Sequence, residues 1–309
     1  MEIQFFKRED GSSLNIVGDA LIKLLKRGNK FQVNVKSVNK YVSGQTIEIA
    51  DVGIACGLIT DLYLLQHYSR RIASLVCEKP LTLKEIELLQ EAKLDNIWVP
   101  SQYVKQQFQN AGFKKLSYIP YGIDRLLPSP INPGKRLRVG MVFTSHQHAN
   151  FHVVRKGIFE TLQAIGSMEN NVTLVLRTDN KSYYSKYIKD LKNVEFVSYV
   201  RNMKDFYDDV DIILTPSKSE GFGLIGMEAL AYGIPLISTK TGNDYLDEDT
   251  SYYHLDKVTA DNIHDAILNV INHYPSYAHK ATNQRECFIE KNAWEFKYQQ
   301  LDRSIRSIF

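Results

Sequence analysis

Cysteine is scarce: three residues, Cys56, Cys77 and Cys287, in a chain of 309. They lie far apart and none belongs to a Cys-x-x-Cys pair. That argues against a disulfide framework or a cysteine-built zinc site and suits a reducing compartment. Nowhere does an apolar run approach the ~20 residues needed to span a bilayer. The N-terminus, MEIQFFKREDGSS, carries charges where a secretory leader needs an apolar stretch. A cytoplasmic protein, at most peripheral at a membrane, is the expectation. An excess of one charge is lacking too. Thirty-eight basic and 35 acidic side chains leave a formal +3, too little at this length for a nucleic-acid surface. It leaves room for a local basic patch. There is no internal repeat and no low-complexity stretch.

What is present is a steady alternation. Single cores stop growing near ~250–300 residues, so the length predicts two domains. In the first half, apolar runs predict strands at Ile3–Phe6, Phe31–Val35, Ile47–Ala55, Ile72–Cys77 and Asn96–Val99, with a short one reaching Ile119. Helices are predicted from Gly11-Ser12-Ser13 to about Arg27 and over Thr60–Arg70, Thr82–Ala92 and Gln102–Asn110. Ser101 is the N-cap of the last and Gly112 closes it. Leu127–Lys135, LPSPINPGK, excludes regular structure and marks a linker.

The pattern then begins again. Strands are predicted at Leu137–Thr144, Val172–Arg177, Val194–Val197, Asp211–Thr215 and Pro235–Ser238. Helices are predicted at Lys156–Ile165, up to Leu191, at Met203–Asp208, Leu224–Tyr232 and Ala260–His273, and in an amphipathic tail, Ala293–Ile308. Strands separated by helices imply right-handed βαβ units and parallel sheets. The expected architecture is therefore α/β: two Rossmann-like doubly wound domains, 1–130 and 131–289, facing a central cleft, with a terminal helix over 290–309. Such sheets bind ligands outside the carboxyl ends of their strands.

The residues that carry chemistry cluster after the predicted strand Asp211–Thr215. Ser219-Glu220-Gly221-Phe222-Gly223-Leu224-Ile225 is a glycine-rich strand-to-helix turn, where backbone N–H groups can approach a ligand. A helix start resembles about half a charge, so a nucleotide diphosphate needs cations as well. Arg155 and Lys156, before Gly157, follow the first strand of the same half and open onto the same sheet edge. Glu220 and Glu228 suit hydroxyl groups, Glu228 reaching a ribose and Glu220 a transferred sugar. The alternative is an ordinary α/β turn followed by a solvated glutamate.

The stretch TPSKSEGFGLIGMEALAYGIPLIST, with Glu220 and Glu228, resembles the E-x7-E signature of retaining GT-B glycosyltransferases of family 4, the glycosyl transferases group 1. Trp98–Val104, Ile119–Asp124, Arg155-Lys156-Gly157 and the Gly11–Ser13 turn are similar to that family as well. The resemblance implies a GT-B fold with 1–130 on the acceptor side, 131–289 binding the donor, and the last helix crossing back to the first domain. It implies that Glu220 contacts the sugar and Glu228 the donor ribose. The backbone of Phe222, Gly223, Leu224 and Ile225 would hold sugar and phosphate. Lys156 and Arg155 would neutralise the leaving diphosphate, and Gly11, Ser12 and Ser13 would approach it from the other domain. Two departures stand out. Thr144-Ser145-His146 occupies a place where the family carries an arginine, and Asp51–Gly57 lacks the family's histidine.

The implied reaction is retaining transfer of a sugar from a nucleotide-diphosphate sugar to a glycan, lipid or protein acceptor. It needs no cofactor and no divalent metal, and the donor phosphate takes the acceptor proton. A non-catalytic nucleotide-sugar or glycan-binding module and a nucleotide-sugar epimerase are the alternatives. Weaker signals remain. His146, His148 and His152 are candidate metal ligands or plain loop residues. Lys23, Lys26, Arg27 and Lys30 either complement a helix end or meet anionic lipid. Glu78 and Lys79 are acceptor-side candidates, and the tyrosines of Ser182–Tyr187 either stack on a ligand or pack.

Overall fold

Runs of Val, Ile and Leu long enough to be buried on both faces are the mark of parallel sheets, and two such sheets organise the chain. The computed structural model describes residues 1–7, 13–37, 49–56, 69–75, 83–124, 137–143, 154–168, 172–178, 188, 191–198, 203–247, 250 and 252–308. The expected linker at 127–135 lies outside them, as do the three loop histidines, Glu78, Lys79 and residues 182–187. The chain divides into one unit of Met1–Gly122 with Ala293–Phe309 and another of Ile123–Asn292.

In the first unit, β1 (Glu2–Lys7), β2 (Gln32–Ser37), β3 (Ala50–Cys56), β4 (Ser69–Leu75), β5 (Asn96–Val99) and β6 (Leu116–Tyr118) form a sheet of order β2-β1-β3-β4-β5-β6. All neighbours are parallel. Among the described residues before the tail, the helices are α1 (Ser13–Arg27), α2 (Leu83–Glu91) and α3 (Gln102–Asn110). Ser101 caps α3 by accepting from the Val104 N–H at 3.2 Å, and Gly112 turns the chain out of it with φ 89°. The predicted helix Thr60–Arg70 is corrected at its end: Ser69 and Arg70 already belong to β4. The tail Ala293–Phe309 starts as a 3₁₀ turn, Trp294–Lys297, and becomes helical afterwards. Its Trp294 backbone lies where a Cβ on Gly122 would sit, 2.7 Å away.

The second unit contains β7 (Leu137–Val142), β8 (Val172–Arg177), β9 (Val194–Val197), β10 (Ile212–Thr215), β11 (Leu236–Ser238) and β12 (Tyr252–His254), ordered β12-β11-β10-β7-β8-β9 and parallel throughout. Helices α4 (Ile158–Gly166), α5 (Met203–Tyr207), α6 (Leu224–Tyr232), α7 (Ala260–Asn272) and α8 (Tyr274–Asn292) connect and cover it. Every residue of β8 is buried. Its Leu174 and Leu176 share one core with Val139, Ile165, Ile212, Ile263 and Ile267. Sequence reading missed β12 and α8. The helix expected to end at Leu191 does not reach it, since Leu191 and Ile188 are non-helical.

Candidate active site

In the second sheet the chain winds outward in both directions from β7 and β10. The carboxyl ends of those two strands therefore bound the crevice in which such a sheet binds ligands. Residues Arg155–Gly157 follow β7, and Pro216–Gly223 follow β10.

The two segments clasp each other. The Lys218 N–H donates to the Arg155 carbonyl at 2.8 Å. The Arg155 guanidinium donates through Nη1 to the Ser219 carbonyl at 3.1 Å and to Glu220 Oε1 at 3.3 Å. Lys156 Nζ pairs with Glu220 Oε2, which also accepts from Ser217 Oγ at 3.2 Å. Lys218 Nζ reaches back to Glu160 Oε1 at 2.5 Å. Gly157 makes the fit: its φ is 67°, and a Cβ there would stand 2.5 Å from the Pro216 carbonyl oxygen. Side-chain exposure is 7% for Arg155 and 9% for Glu220, against 21% for Lys156. Burial pushes the Glu220 carboxyl up, but the charges of Lys156 and Arg155, with the hydrogen bonds that Lys156 and Ser217 donate to it, outweigh burial and hold it below the ordinary carboxylate value.

Glu228 sits in the second turn of α6 and has the opposite environment. Tyr207, at the end of α5 and fully buried, donates its hydroxyl to Glu228 Oε2 at 2.5 Å. Its ring packs on Tyr232 at 4.7 Å. Burial raises the Glu228 carboxyl above its ordinary value, and the Tyr207 hydrogen bond and the charge of Arg177 only partly offset it. Burial and the Glu228 charge push the Tyr207 hydroxyl well above its ordinary value, so it stays a donor.

A third turn, after β11, completes the support. Gly242 has φ 69°, and a Cβ there would overlap the backbone of Glu220. Thr239 Oγ1 donates to the Ser217 carbonyl at 2.7 Å. Asn243 Nδ2 donates to Ser238 Oγ at 3.2 Å and to the Thr239 carbonyl at 2.9 Å. Tyr245 donates its hydroxyl to the Gly223 carbonyl at 2.5 Å, fixing the residue that precedes α6. Burial raises the Tyr245 hydroxyl well above its usual range, and the charges of Glu220 and Glu228 add to that. Gly223 offers no side chain to cap α6, so the helix start has no capping hydroxyl or carboxylate of its own.

Of the residues singled out from sequence, Arg155, Lys156 and Glu220 come together, and Phe222, Gly223, Leu224 and Ile225 lead into the helix that carries Glu228. Phe222 is buried with its ring 5.6 Å from Tyr245. Gly11 and Ser12 lie outside the described residues, and Ser13 opens α1. Sequence reasoning missed Tyr207, Ser217, Asn243 and Tyr245. The one available signal was Thr241-Gly242-Asn243, a glycine turn at the carboxyl end of a strand beside β10. The Asp209-Val210-Asp211 spacing serves the sheet: Asp211 accepts from the Arg138 N–H at 2.8 Å, and Asp209 pairs with the Arg138 guanidinium at 2.7 Å. Among the described residues no three His, Cys, Asp or Glu side chains converge on a metal position.

Residues 143–273, which include Arg155, Lys156, Glu220 and Glu228, match the family model described as Glycosyl transferases group 1. A capsular polysaccharide biosynthesis glycosyltransferase of Staphylococcus aureus, CapM, is 30% identical over 87 residues. That match takes in 28% of this chain and spans only 21% of the relative's length. Sucrose-phosphate synthase from Thermosynechococcus elongatus superposes with a TM-score of 0.80 at 14% identity, covering 100% of this chain and 99% of that one. HepE of Anabaena, in complex with UDP and glucose, superposes with a TM-score of 0.78 at 15% identity, covering 99% of this chain and 100% of that one. At such identities the likeness speaks for the fold. Residues 143–273 of the second unit are thus similar to the glycosyl transferases group 1 family, and the chain as a whole shares the fold of these solved structures, two parallel α/β sheets.

Proposed function

We propose that this protein is a glycosyltransferase that moves a sugar from a nucleotide-diphosphate sugar to a glycan, lipid or protein acceptor, with retention of configuration and without a divalent metal. The observation that carries the reading is the Arg155–Lys156–Glu220 cluster beside the uncapped start of α6, at the switch point of the second sheet. The family match over residues 143–273 supports the class of reaction. The complex of HepE with UDP and glucose supports a donor of that chemical kind.

Charge develops on the leaving diphosphate as the glycosidic bond breaks, and stabilising it is the main task of the protein. Preorganised cations and N–H donors in a dry site supply the largest share of such stabilisation. Lys156 and the backbone N–H groups from Phe222 to Ile225 take that role. Glu220 accepts from hydroxyls of the transferred sugar and Glu228 from the ribose. The donor phosphate accepts the acceptor's proton, so no protein base is required. On α1, Lys23, Lys26 and Arg27 are exposed, which supports peripheral contact of that helix with anionic lipid.

Donor hydrolysis and sugar transfer, measured with a panel of UDP- and GDP-sugars, test the proposal. Glu220→Gln and Lys156→Ala are each expected to lower turnover by about 100-fold or more, the scale of removing one transition-state contact. Equal background turnover in the wild type and both variants overturns catalysis and leaves a nucleotide-sugar-binding module. An inverted anomeric product in the NMR spectrum overturns retention.

A further inference from the structure

We infer that Arg155 is a positioning residue for Glu220, and that of the two neighbouring cations only Lys156 meets the donor diphosphate. The inference rests on the donor reading above and divides the labour within that site. Arg155 holds the loop after β10 by three hydrogen bonds. Its carbonyl holds the Lys218 N–H, and its Nη1 holds the Ser219 carbonyl and Glu220 Oε1. With 7% of its side chain exposed, it cannot turn to a phosphate without giving up two hydrogen bonds and uncovering a buried carboxylate. Gly157 and Gly242 press the same loop from two sides, so the guanidinium, Ser219 and Glu220 form a set with little freedom.

Lys156 is built differently. Its ammonium is a compact charge on a flexible stem, and its side chain is 21% exposed. When it swings from Glu220 Oε2 to a phosphate oxygen, that carboxylate oxygen still accepts from Ser217 Oγ at 3.2 Å. Arg155 meanwhile stays on Oε1 and keeps Glu220 ionised and aimed. The site can therefore change one ion pair for another without leaving Glu220 unpaired. Among the described residues, the charged and titratable groups acting on Glu220 are Arg155, Lys156 and, from the β11 side, Tyr245, whose hydroxyl remains neutral.

The test compares Arg155→Met, Arg155→Lys and Lys156→Met with the wild type in three measurements: calorimetric affinity for UDP and GDP, the kcat and donor KM of transfer, and the NMR titration of the Glu220 carboxyl without ligand. Lys156→Met is expected to weaken nucleotide binding by about 10-fold or more, and Arg155→Met by less than about 2-fold. Arg155→Met is expected to lower kcat by about 30-fold with little change in donor KM, to raise the Glu220 titration midpoint and to carry the acid limb of the pH–rate profile upward with it. Arg155→Lys restores most of both. An affinity loss in Arg155→Met as large as in Lys156→Met overturns the inference, as does an unmoved Glu220 midpoint. Should Arg155→Met fail to fold, Arg155→Lys decides: wild-type affinity with a low Glu220 midpoint supports the role, and a loss of affinity equal to that of Lys156→Met overturns it. Should the wild type bind neither UDP nor GDP, the donor reading fails, and the Glu220 titration still decides for or against the positioning role.

Discussion

Glu220 and Glu228 are the same side chain, a loop and one helical turn apart, yet their surroundings drive their protonation in opposite directions. Burial opposes ionisation at both. At Glu220 two cations from the turn after β7 overcome it. At Glu228 the hydrogen-bond partner is the neutral hydroxyl of Tyr207, and it does not. Partner charge, more than depth, decides which carboxyl is held ionised. On the proposed reading, Glu220 would stand beside a diphosphate and need its own counter-charges, whereas Glu228 would only receive ribose hydroxyls.

The largest difference between the two should appear in stability when each becomes an amide. Glu220→Gln leaves the Arg155 guanidinium buried without its counter-charge and is expected to cost about 3 kcal/mol in urea denaturation. Glu228→Gln keeps an oxygen that accepts from Tyr207 and should cost less than about 1 kcal/mol. Equal losses would erase the distinction. Next in size is Tyr207→Phe, which removes the donor and leaves a carboxylate oxygen buried. About 1–3 kcal/mol is expected, with weaker nucleotide binding measured by calorimetry.

The smallest effect is in pH dependence and runs in opposite senses at the two sites. The Glu220 value is lowered on folding, so its stabilisation is complete above the ordinary value of 4.5 and is lost as pH falls from there through the folded value. The Glu228 value is raised on folding, so its contribution is complete below 4.5 and is lost as pH rises through the folded value. Urea midpoints across that range should lose their acid-side slope in Glu220→Gln and part of their alkaline-side decline in Glu228→Gln. The same slope in both variants would contradict the assignment.

Much of this was legible in sequence because the signals were local. Val172–Leu176 is an unbroken run of Val, Thr and Leu, and the strand Val172–Arg177 is buried along its whole length. Ser101 and Gly112 bracket a helix by local hydrogen bonding and a positive φ. The spacing of Glu220 and Glu228 places one in a loop and the other in the helix that follows. What escaped lacks such marks. Tyr252–His254 is three half-exposed residues at a sheet edge, too short to show a period. Tyr274–Asn292 buries only scattered positions, so no apolar stripe announces a helix, and Pro275 near its start reads as a break. The tail turns in 3₁₀ geometry before its helix, which amphipathicity alone does not reveal. Tyr207 and Tyr245 found their partners through the sheet, and no spacing along the chain encodes a contact made that way.

The winding of the second sheet also dates the site within folding. Arg155 and Glu220 lie 65 positions apart in the chain, and their strands become neighbours only once β10 docks on β7. A growing chain that ends before that docking presents Arg155 and Lys156 without Glu220 to receive them. The cluster is therefore a product of closure, present in the finished domain and absent from either of its halves. Any molecule that binds there will favour the closed sheet over every earlier state.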